Sequence, residues 1–200
     1  MIKTPYYKQT TEMTCGPAAL MMLLKFYKKK IKLNRKIEFK IWRDAVLLGW
    51  RAVGLYGIAT AALKNGLKVE LLREKKAVWK DFREIHVNQI LEYIFKQQES
   101  EAKKLGLKEK IGEINIDLLR SLLKKGIPPM VLIREIKPDF SLQFAHWVIV
   151  VGINDDFVYI NDSIHGKNRK IPVAIFESAL YTLHELNCNF GKEVLAIQRR

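Results

Sequence analysis

The sequence predicts an α+β fold, in which helices make up the N-terminal part and an antiparallel sheet makes up the C-terminal part. In the first 65 residues, apolar side chains recur three and four positions apart, which is the spacing of a buried helix face. From Pro129 onward, short runs rich in β-branched and aromatic residues are separated by polar turns. The two kinds of element are segregated along the chain instead of alternating, which is typical of an α+β domain.

Three helices and one strand are expected before the middle of the chain. Thr14 is a candidate N-cap for a first helix that runs to about Lys29. A second helix is expected to begin after Asn34, and a third to span residues 56–64 before an Asn-Gly stop signal. Residues 67–72 then predict a strand.

A charged middle region of about residues 75–126 is expected to form a helical insertion within a single domain that spans residues 1–200. It carries helical apolar patterns around Ile90 and Leu119, whereas residues 97–110 are polar and suit a solvent-facing helix end or a loop. Shaping a cleft and mediating association are both open as roles for this region.

The C-terminal part is expected to contain four strands and one helix. The strands are predicted at residues 130–134, 144–153, 157–162 and 194–198, with the helix at about residues 173–186. The second and third of these strands flank a short polar turn, so they predict a β-hairpin.

The bulk properties are those of a small intracellular protein. Two cysteines cannot form a disulfide framework, and the chain has no Cys-x-x-Cys pair of the kind that binds zinc. The N-terminal residues lack the apolar core of a signal peptide, and no apolar run approaches the about 20 residues that a membrane span needs. We therefore expect a soluble, cytoplasmic protein without a membrane span.

The net charge of +14 is the strongest competing signal, because it would also fit nucleic-acid binding. The excess is mostly lysine, it is spread over several segments, and no known nucleic-acid motif accompanies it. A solvated lysine-rich surface explains this pattern, so we expect no specific nucleic-acid partner. An acidic peptide or an anionic membrane surface remains open as a partner.

The most informative motif is a cysteine at the predicted start of the first helix. Cys15 opens that helix, and Gln9 lies six residues upstream on the loop that leads into it. The first turn of a helix favours a negative charge, which helps a thiol to ionise. The Gln9 side chain and the backbone N–H of Cys15 could both donate to the oxyanion that forms when a thiolate attacks a carbonyl group.

The predicted hairpin supplies a base for this nucleophile. His146 lies near the start of its first strand, and Asp162 lies at the end of its second, so both fall at the open end away from the turn. A histidine whose ring is oriented by a neighbouring carboxylate completes a nucleophile, base and orienting group.

The hairpin register decides whether these two side chains can meet. If residue 146 pairs with residue 162, the loop contains an odd number of residues, such as residues 153–155. A two-residue turn at Asp155-Asp156 without a bulge would instead place the two side chains on opposite faces. We expect the odd loop, or a bulge that restores the shared face.

These residues are accompanied by further motifs, and together they resemble a known family. The matching blocks are Gln9, Cys15-Gly16-Pro17-Ala18, the strand from His146 to Gly152, Asn161-Asp162, Glu38-Phe39-Lys40-Ile41-Trp42-Arg43-Asp44-Ala45 and Gly54-Leu55-Tyr56-Gly57-Ile58-Ala59. This pattern is similar to the bacteriocin-processing peptidases, family thirty-nine of the cysteine peptidases, which trim double-glycine leader peptides. The middle blocks resemble a standalone, peptidase-like branch. Residues 51–54 depart from that branch, which is glycine-rich there.

The resemblance implies a papain-like fold, with the cysteine on the helical part and the histidine and aspartate on the sheet. It also implies a cysteine peptidase that acts on a peptide with small residues before the cut. In that chemistry Cys15 attacks the carbonyl carbon and His146 relays the proton to the leaving amine. Asp162 orients the imidazole, and Gln9 with the Cys15 N–H holds the oxyanion. Such thioester chemistry needs no cofactor or metal.

Several alternatives stay open at this stage. Asn161, Asp155 and Asp156 compete with Asp162 for the orienting role, because Asn161-Asp162-Ser163 also reads as a turn. His184 and Cys188 stand four residues apart, but two ligands alone make a weak metal site or second dyad. The same scaffold could also serve an acyl or peptidyl transferase, or a catalytically idle binding module.

Overall fold

Helices come first along the chain and most strands come later, as the computed structural model of the protein shows for residues 1–47, 52–75, 78–79, 86–180, 188–189 and 191–200. The helices are α1 (Cys15–Tyr27), α2 (Arg35–Ala45), α3 (Leu55–Lys64), α4 (His86–Lys104), α5 (Ile116–Lys124) and α6 (Val173–Ala179). The strands are β1 (Leu67–Arg73), β2 (Val78–Trp79), β3 (Lys108–Ile111), β4 (Met130–Ile136), β5 (Leu142–Ile153), β6 (Phe157–Asp162), β7 (Gly166–Pro172), β8 (Cys188–Asn189) and β9 (Glu193–Arg199).

Seven of the described strands form one sheet in the order β3-β1-β9-β4-β5-β6-β7. Neighbouring strands in this sheet are antiparallel, except that β3 runs parallel to β1 at one edge. The short strands β2 and β8 pair with each other separately. The predicted α+β class is confirmed, because the helical N-terminal part packs on a largely antiparallel sheet.

The sheet carries an apolar core on each face, and α1 lies inside one of them. Trp147, Ile149 and Val151 of β5 pack in the core that contains α1 and α3, whereas Val148 and Val150 pack in the core that contains α5 and α6. This division follows from the alternation of side chains along a strand. Since every residue from position 16 to 24 of α1 is buried, this helix is held rigidly, with Cys15 at its first position.

The N-termini of α1 and α2 are stabilised in different ways. Asn34 caps α2, because its side chain accepts a hydrogen bond from the backbone N–H of Ile37. Thr14 occupies the N-cap position of α1, but its side chain makes no capping hydrogen bond there. Its hydroxyl group donates instead to the carbonyl oxygen of Thr11 at 3.0 Å, so it stabilises the loop before the helix.

The sheet contains two edge strands that the sequence did not predict. Strand β3 falls partly in the polar stretch that suited a helix end or a loop, and β7 is a basic strand next to β6. Both are edge strands and largely polar, so neither shows the apolar run on which strand prediction depends. The predicted helix over residues 173–186 begins as expected and ends at Ala179, and its residues 181–186 lie outside the described part.

None of the helices in the described ranges is both long and apolar enough to cross a membrane.

Candidate active site

The structure places Cys15 at the first position of α1, where the residue as a whole is partly exposed. The first backbone N–H groups of a helix have no partner within the helix, so they can stabilise a negative charge. Burial by itself raises the pKa of the Cys15 thiol, but the hydrogen bond and the charge of His146 lower it, together with the backbone N–H groups of Trp147 and Gly16. The net pKa lies below the usual thiol value, so the environment favours the thiolate.

The His146 ring lies between Cys15 and Asp162. Its Nε2 atom is 2.9 Å from Oδ1 of Asp162, and both side chains are buried. The other ring nitrogen, Nδ1, is thereby left for the hydrogen bond with the Cys15 thiol. Burial by itself lowers the pKa of His146, but the hydrogen bonds and charges of Asp162 and Cys15 raise it above its ordinary value.

A β-bulge allows His146 and Asp162 to share a face of the sheet. Near the turn, Ile153 pairs with Val158, and the backbone N–H of Asn154 donates to the carbonyl oxygen of Phe157, so the turn itself has two residues. The expected odd loop is therefore wrong. The register then shifts between Val150 and Gly152, so that Ile149 pairs with Asn161. The expected alternative, a bulge that restores the shared face, is what the structure contains.

The bulge also changes which residues oppose each other. Continuing the register by one residue places position 148 opposite Asp162, so His146 lies diagonally across from Asp162 instead of directly opposite. A diagonal pair is within reach of a histidine ring, which accounts for the 2.9 Å contact. At the bulge, the carbonyl oxygen of Val151 accepts a hydrogen bond from the backbone N–H of Ile2. The N-terminal segment thus stabilises the irregular point of the hairpin.

Both oxygen atoms of the Asp162 carboxylate accept hydrogen bonds. Oδ1 accepts hydrogen bonds from the backbone N–H groups of Ile164 at 2.9 Å and His165 at 3.1 Å, in addition to its contact with His146. Burial by itself raises the pKa of Asp162, but the hydrogen bond and charge of His146 and these two backbone donors hold it well below its usual range. Asp162 is therefore an ionised carboxylate that cannot rotate freely.

Arg169 completes the environment of Asp162, and sequence reasoning did not predict its role. Its Nη1 atom donates to Oδ2 of Asp162 at 2.6 Å and to the carbonyl oxygen of Ile136 at 2.7 Å. Its Nη2 atom donates to the carbonyl oxygen of Lys137 at 3.2 Å. The role of Arg169 could be predicted only if β7 were recognised as a strand that pairs with β6. Arg169 pairs with Ile160, which lies two residues before Asp162 on β6, so Arg169 and Asp162 share a face of the sheet.

Gln9 lies beside the strand that carries Asp162. Its backbone N–H donates to the carbonyl oxygen of Ser163 at 3.0 Å, and its Oε1 atom accepts a hydrogen bond from the Ser163 hydroxyl group at 2.6 Å. Its Nε2 atom donates to the carbonyl oxygen of Thr11 at 2.8 Å and to that of Glu12 at 3.3 Å. The amide group is thus well oriented, and its two N–H bonds face the loop that leads to Cys15.

The residues that competed with Asp162 for the role of orienting His146 interact with other groups. The buried Asn161 side chain donates to the Thr4 hydroxyl group at 2.7 Å, which ties the N-terminal segment to β6. Asp155 and Asp156 form the turn at the far end of the hairpin. His165 is partly buried, and its Nε2 atom lies 2.7 Å from Oε1 of Glu135.

The spacing of His184 and Cys188 is not tested by the structure, because His184 and the Cys188 side chain lie outside the described residues. Among the side chains that the structure does describe, no three of the His, Cys, Asp and Glu residues cluster as a metal site would require.

Comparison with solved structures shows the same fold in three peptidases. The chain aligns with a double-glycine-motif protease from an AMS/PCAT transporter in complex with the leader peptide, at 20% identity and a TM-score of 0.54, covering 100% of this chain and 94% of that one. It also aligns with the peptidase domain of Streptococcus ComA, a bifunctional ABC transporter involved in a quorum-sensing pathway. That alignment has 13% identity and a TM-score of 0.51, and it covers 99% of this chain and 100% of that one. A third alignment, with a C39-like peptidase from Bacillus anthracis, has 14% identity and a TM-score of 0.56. It covers 100% of this chain and 96% of that one.

The sequence comparison is more specific. A search of curated proteins finds no match. A sequence model of the Peptidase_C39 like family, in contrast, matches residues 4–180, which include Gln9, Cys15, His146 and Asp162. The expected resemblance is confirmed, and the chain belongs to the Peptidase_C39 like family.

Proposed function

We propose that this protein is a cysteine peptidase that hydrolyses a peptide bond with Cys15 as the nucleophile, His146 as the base and Asp162 as the orienting group. The observation that carries the proposal is the continuous contact from the thiol to the imidazole to the ionised carboxylate. The thiol pKa is lowered and the imidazole pKa is raised, which favours a thiolate and an imidazolium over two neutral groups. This is the charge state in which a cysteine nucleophile reacts.

The proposed reaction has two balanced halves. The Cys15 thiolate attacks the carbonyl carbon, and the electrons of the C=O bond move to the oxygen. When this tetrahedral intermediate collapses, the C–N bond breaks and the His146 imidazolium gives its proton to the leaving amine. Water then attacks the thioester and gives a proton to His146, and the C–S bond breaks to return the thiolate. Asp162 keeps its charge throughout and stabilises the imidazolium.

We assign the oxyanion donors to Gln9 and the backbone N–H of Cys15. Of the two hydrogen bonds made by Nε2 of Gln9, the one to the Glu12 carbonyl oxygen is longer, at 3.3 Å, and more exposed. That N–H is the one that would turn to the oxyanion. The hydrogen bond to Thr11, at 2.8 Å, would keep the amide group in place.

A peptide is the proposed substrate class. The double-glycine-motif protease that shares this fold was solved with a leader peptide bound, and the family resemblance points to small residues before the cut. A transferase and an idle binding module remain as outcomes of the test and not as second proposals.

The test is covalent capture followed by product analysis. A peptide that carries an electrophilic carbonyl group after a small residue should label the wild-type protein at Cys15, and Cys15→Ala should not be labelled. With an amide or ester substrate, hydrolysis should dominate even when a primary amine is added. Acyl transfer to the amine in preference to water would assign a transferase, and absence of labelling would favour a binding module.

A further inference from the structure

The segment that carries Gln9 is fixed on one side by a buried carboxylate of α2. Glu38 is fully buried, and its Oε2 atom accepts hydrogen bonds from the Tyr7 hydroxyl group at 2.9 Å and the Thr10 hydroxyl group at 2.6 Å. Its Oε1 atom accepts from the backbone N–H of Thr10 at 2.9 Å. A buried carboxylate is costly unless it is hydrogen-bonded, and in the described part of the chain these bonds all come from residues flanking Gln9.

The same segment is fixed on its other side by Ser163, which directly follows the orienting residue Asp162. Ser163 is fully buried, and it contacts Gln9 through both its hydroxyl group and its carbonyl oxygen. A hydroxyl donor on Oε1 determines which end of the amide is the oxygen, so Nε2 must point the other way. The Thr11 carbonyl oxygen on Nε2 agrees with that orientation.

We infer that Glu38 and Ser163 are the two positioning residues of Gln9, holding its amide group so that an N–H bond is presented to the oxyanion. An oxyanion donor is effective only when it is held in place before the reaction. Glu38 binds the segment on both sides of Gln9, through the Tyr7 hydroxyl group and through the backbone N–H and hydroxyl group of Thr10, and Ser163 fixes the rotation of the Gln9 side chain. This inference rests on the proposed peptidase function and adds two residues that act through Gln9.

The test compares two reactions of the same thiolate. Acylation by the p-nitrophenyl ester of N-acetylglycine passes through an oxyanion: the S–C bond forms, the C–O ester bond breaks and p-nitrophenolate leaves. Alkylation by iodoacetamide forms an S–CH₂ bond and releases iodide, without an oxyanion. Glu38→Ala and Ser163→Ala should slow acylation by about ten- to a hundred-fold, less than or equal to the loss of a whole oxyanion donor. Alkylation of Cys15 should stay near the wild-type rate.

Conservative and distant variants provide the controls. Glu38→Gln should retain most of the acylation rate, because an amide can accept from the Thr10 N–H and donate to the two hydroxyl groups. Tyr27→Phe removes a comparable hydrogen bond, which the Tyr27 hydroxyl group donates to the Ile197 carbonyl oxygen. Tyr27 lies at the opposite end of α1 from Cys15, so this substitution should not change the acylation rate. If Glu38→Ala does not fold, Ser163→Ala carries the test alone, since it removes a single oxygen atom.

The decisive measurement repeats both alanine substitutions in a Gln9→Ala background. If Glu38 and Ser163 act through Gln9, neither substitution should slow acylation further in that background. Equal losses in both backgrounds, or a parallel loss of alkylation, would show a general structural role and overturn the inference. Failure of the proposed function has a different signature, because the wild-type protein would then show neither rapid alkylation nor acylation at Cys15.

Discussion

At the residue scale, Cys15 and His146 shift each other's protonation in opposite directions. Burial opposes both shifts, but the pKa of the thiol falls because of His146, and the pKa of the imidazole rises because of Asp162 and Cys15. The two charges should therefore coexist over a pH range that begins below the usual thiol pKa of about 8.5 and extends above the usual imidazole pKa of about 6.5.

The first prediction concerns the reactivity of the thiol. At mildly acidic pH, iodoacetamide should modify Cys15 much faster than Cys188, the second cysteine of the chain. His146→Ala should move the acid limb of the Cys15 rate to higher pH, because burial alone raises the thiol pKa once the imidazolium is absent. The measurement is the rate of alkylation of each cysteine against pH, followed by peptide mass spectrometry. Equal rates at the two cysteines would exclude the ion pair.

The second prediction concerns the stability that Asp162 contributes. Its depressed pKa provides stability above the usual aspartate value of about 3.9, which is lost as the pH falls through the folded pKa. The raised pKa of His146 provides stability below about 6.5, which is lost as the pH rises through the folded pKa. The Asp162→Asn variant should therefore differ most from the wild type between about pH 4 and 6.5.

Breaking a buried ion pair costs about 3–5 kcal/mol, and Arg169 would be left facing a neutral amide. Urea unfolding of both proteins at about pH 6 and in the alkaline range should show the larger difference in the free energy of unfolding at the lower pH. A difference that grows with rising pH would contradict the assignment of charges.

At the element scale, the sequence predicted α1, α2 and α3 well because each has a local signal. Apolar residues recur at helical spacing, Asn34 caps α2, and Gly66 takes a positive φ of 73° just after α3, as a helix stop requires. The features that the local sequence could not decide depend on pairing between distant segments. The bulge at Val151 is stabilised by Ile2, and Arg169 reaches Asp162 only because β7 pairs with β6.

The candidate site shows the same division. Cys15, His146 and Asp162 could be selected because their residue types and the hairpin pattern follow from the local sequence. Ser163 could not, since a serine in a turn is ordinary, and its role depends on a hydrogen bond to Gln9 from the other end of the chain.

The third prediction concerns the bulge. Removing residues 1–3 deletes the hydrogen bond from Ile2 to Val151 and should lower the free energy of unfolding by about 1 kcal/mol. Because the bulge sets the register of His146 relative to Asp162, alkylation of Cys15 at acidic pH should also slow by a few-fold. Removal of the exposed Arg200 is the matched control and should change neither quantity. An unchanged alkylation rate in the N-terminal truncation would show that the bulge holds its register without Ile2.

At the scale of the whole molecule, the sheet joins segments from the entire chain into the candidate site. The neighbouring strands β5 and β6 carry His146 and Asp162, respectively, and α1 packs against β5. Strand β3, which lies within residues 75–126, adds to the edge of the same sheet. We propose that residues 1–200 work as one domain, with the region before β4 tied to the sheet by β3.

The last prediction concerns the net charge of +14. Several described lysines are exposed and form ion pairs within the chain, such as Lys64 with Glu101 and Lys96 with Glu92. Exposed pairs of this kind contribute little to stability. A lysine that is paired with a glutamate of the same chain is typical of a solvated surface and less typical of a surface that binds phosphate groups. We therefore expect single-stranded and duplex DNA to bind weakly, with a dissociation constant of about 10⁻⁶ M or higher at physiological salt and no sequence preference.

The measurement is fluorescence anisotropy with labelled oligonucleotides of two unrelated sequences, between about 50 and 200 mM salt. Affinity that rests on counterion release falls steeply over that range, because each phosphate contact releases a bound cation. Cys15→Ala should bind as the wild type does, since the proposed active site is not involved. Binding tighter than about 10⁻⁷ M that persists at physiological salt, or that separates the two sequences, would mean that the lysine-rich surface recognises nucleic acid.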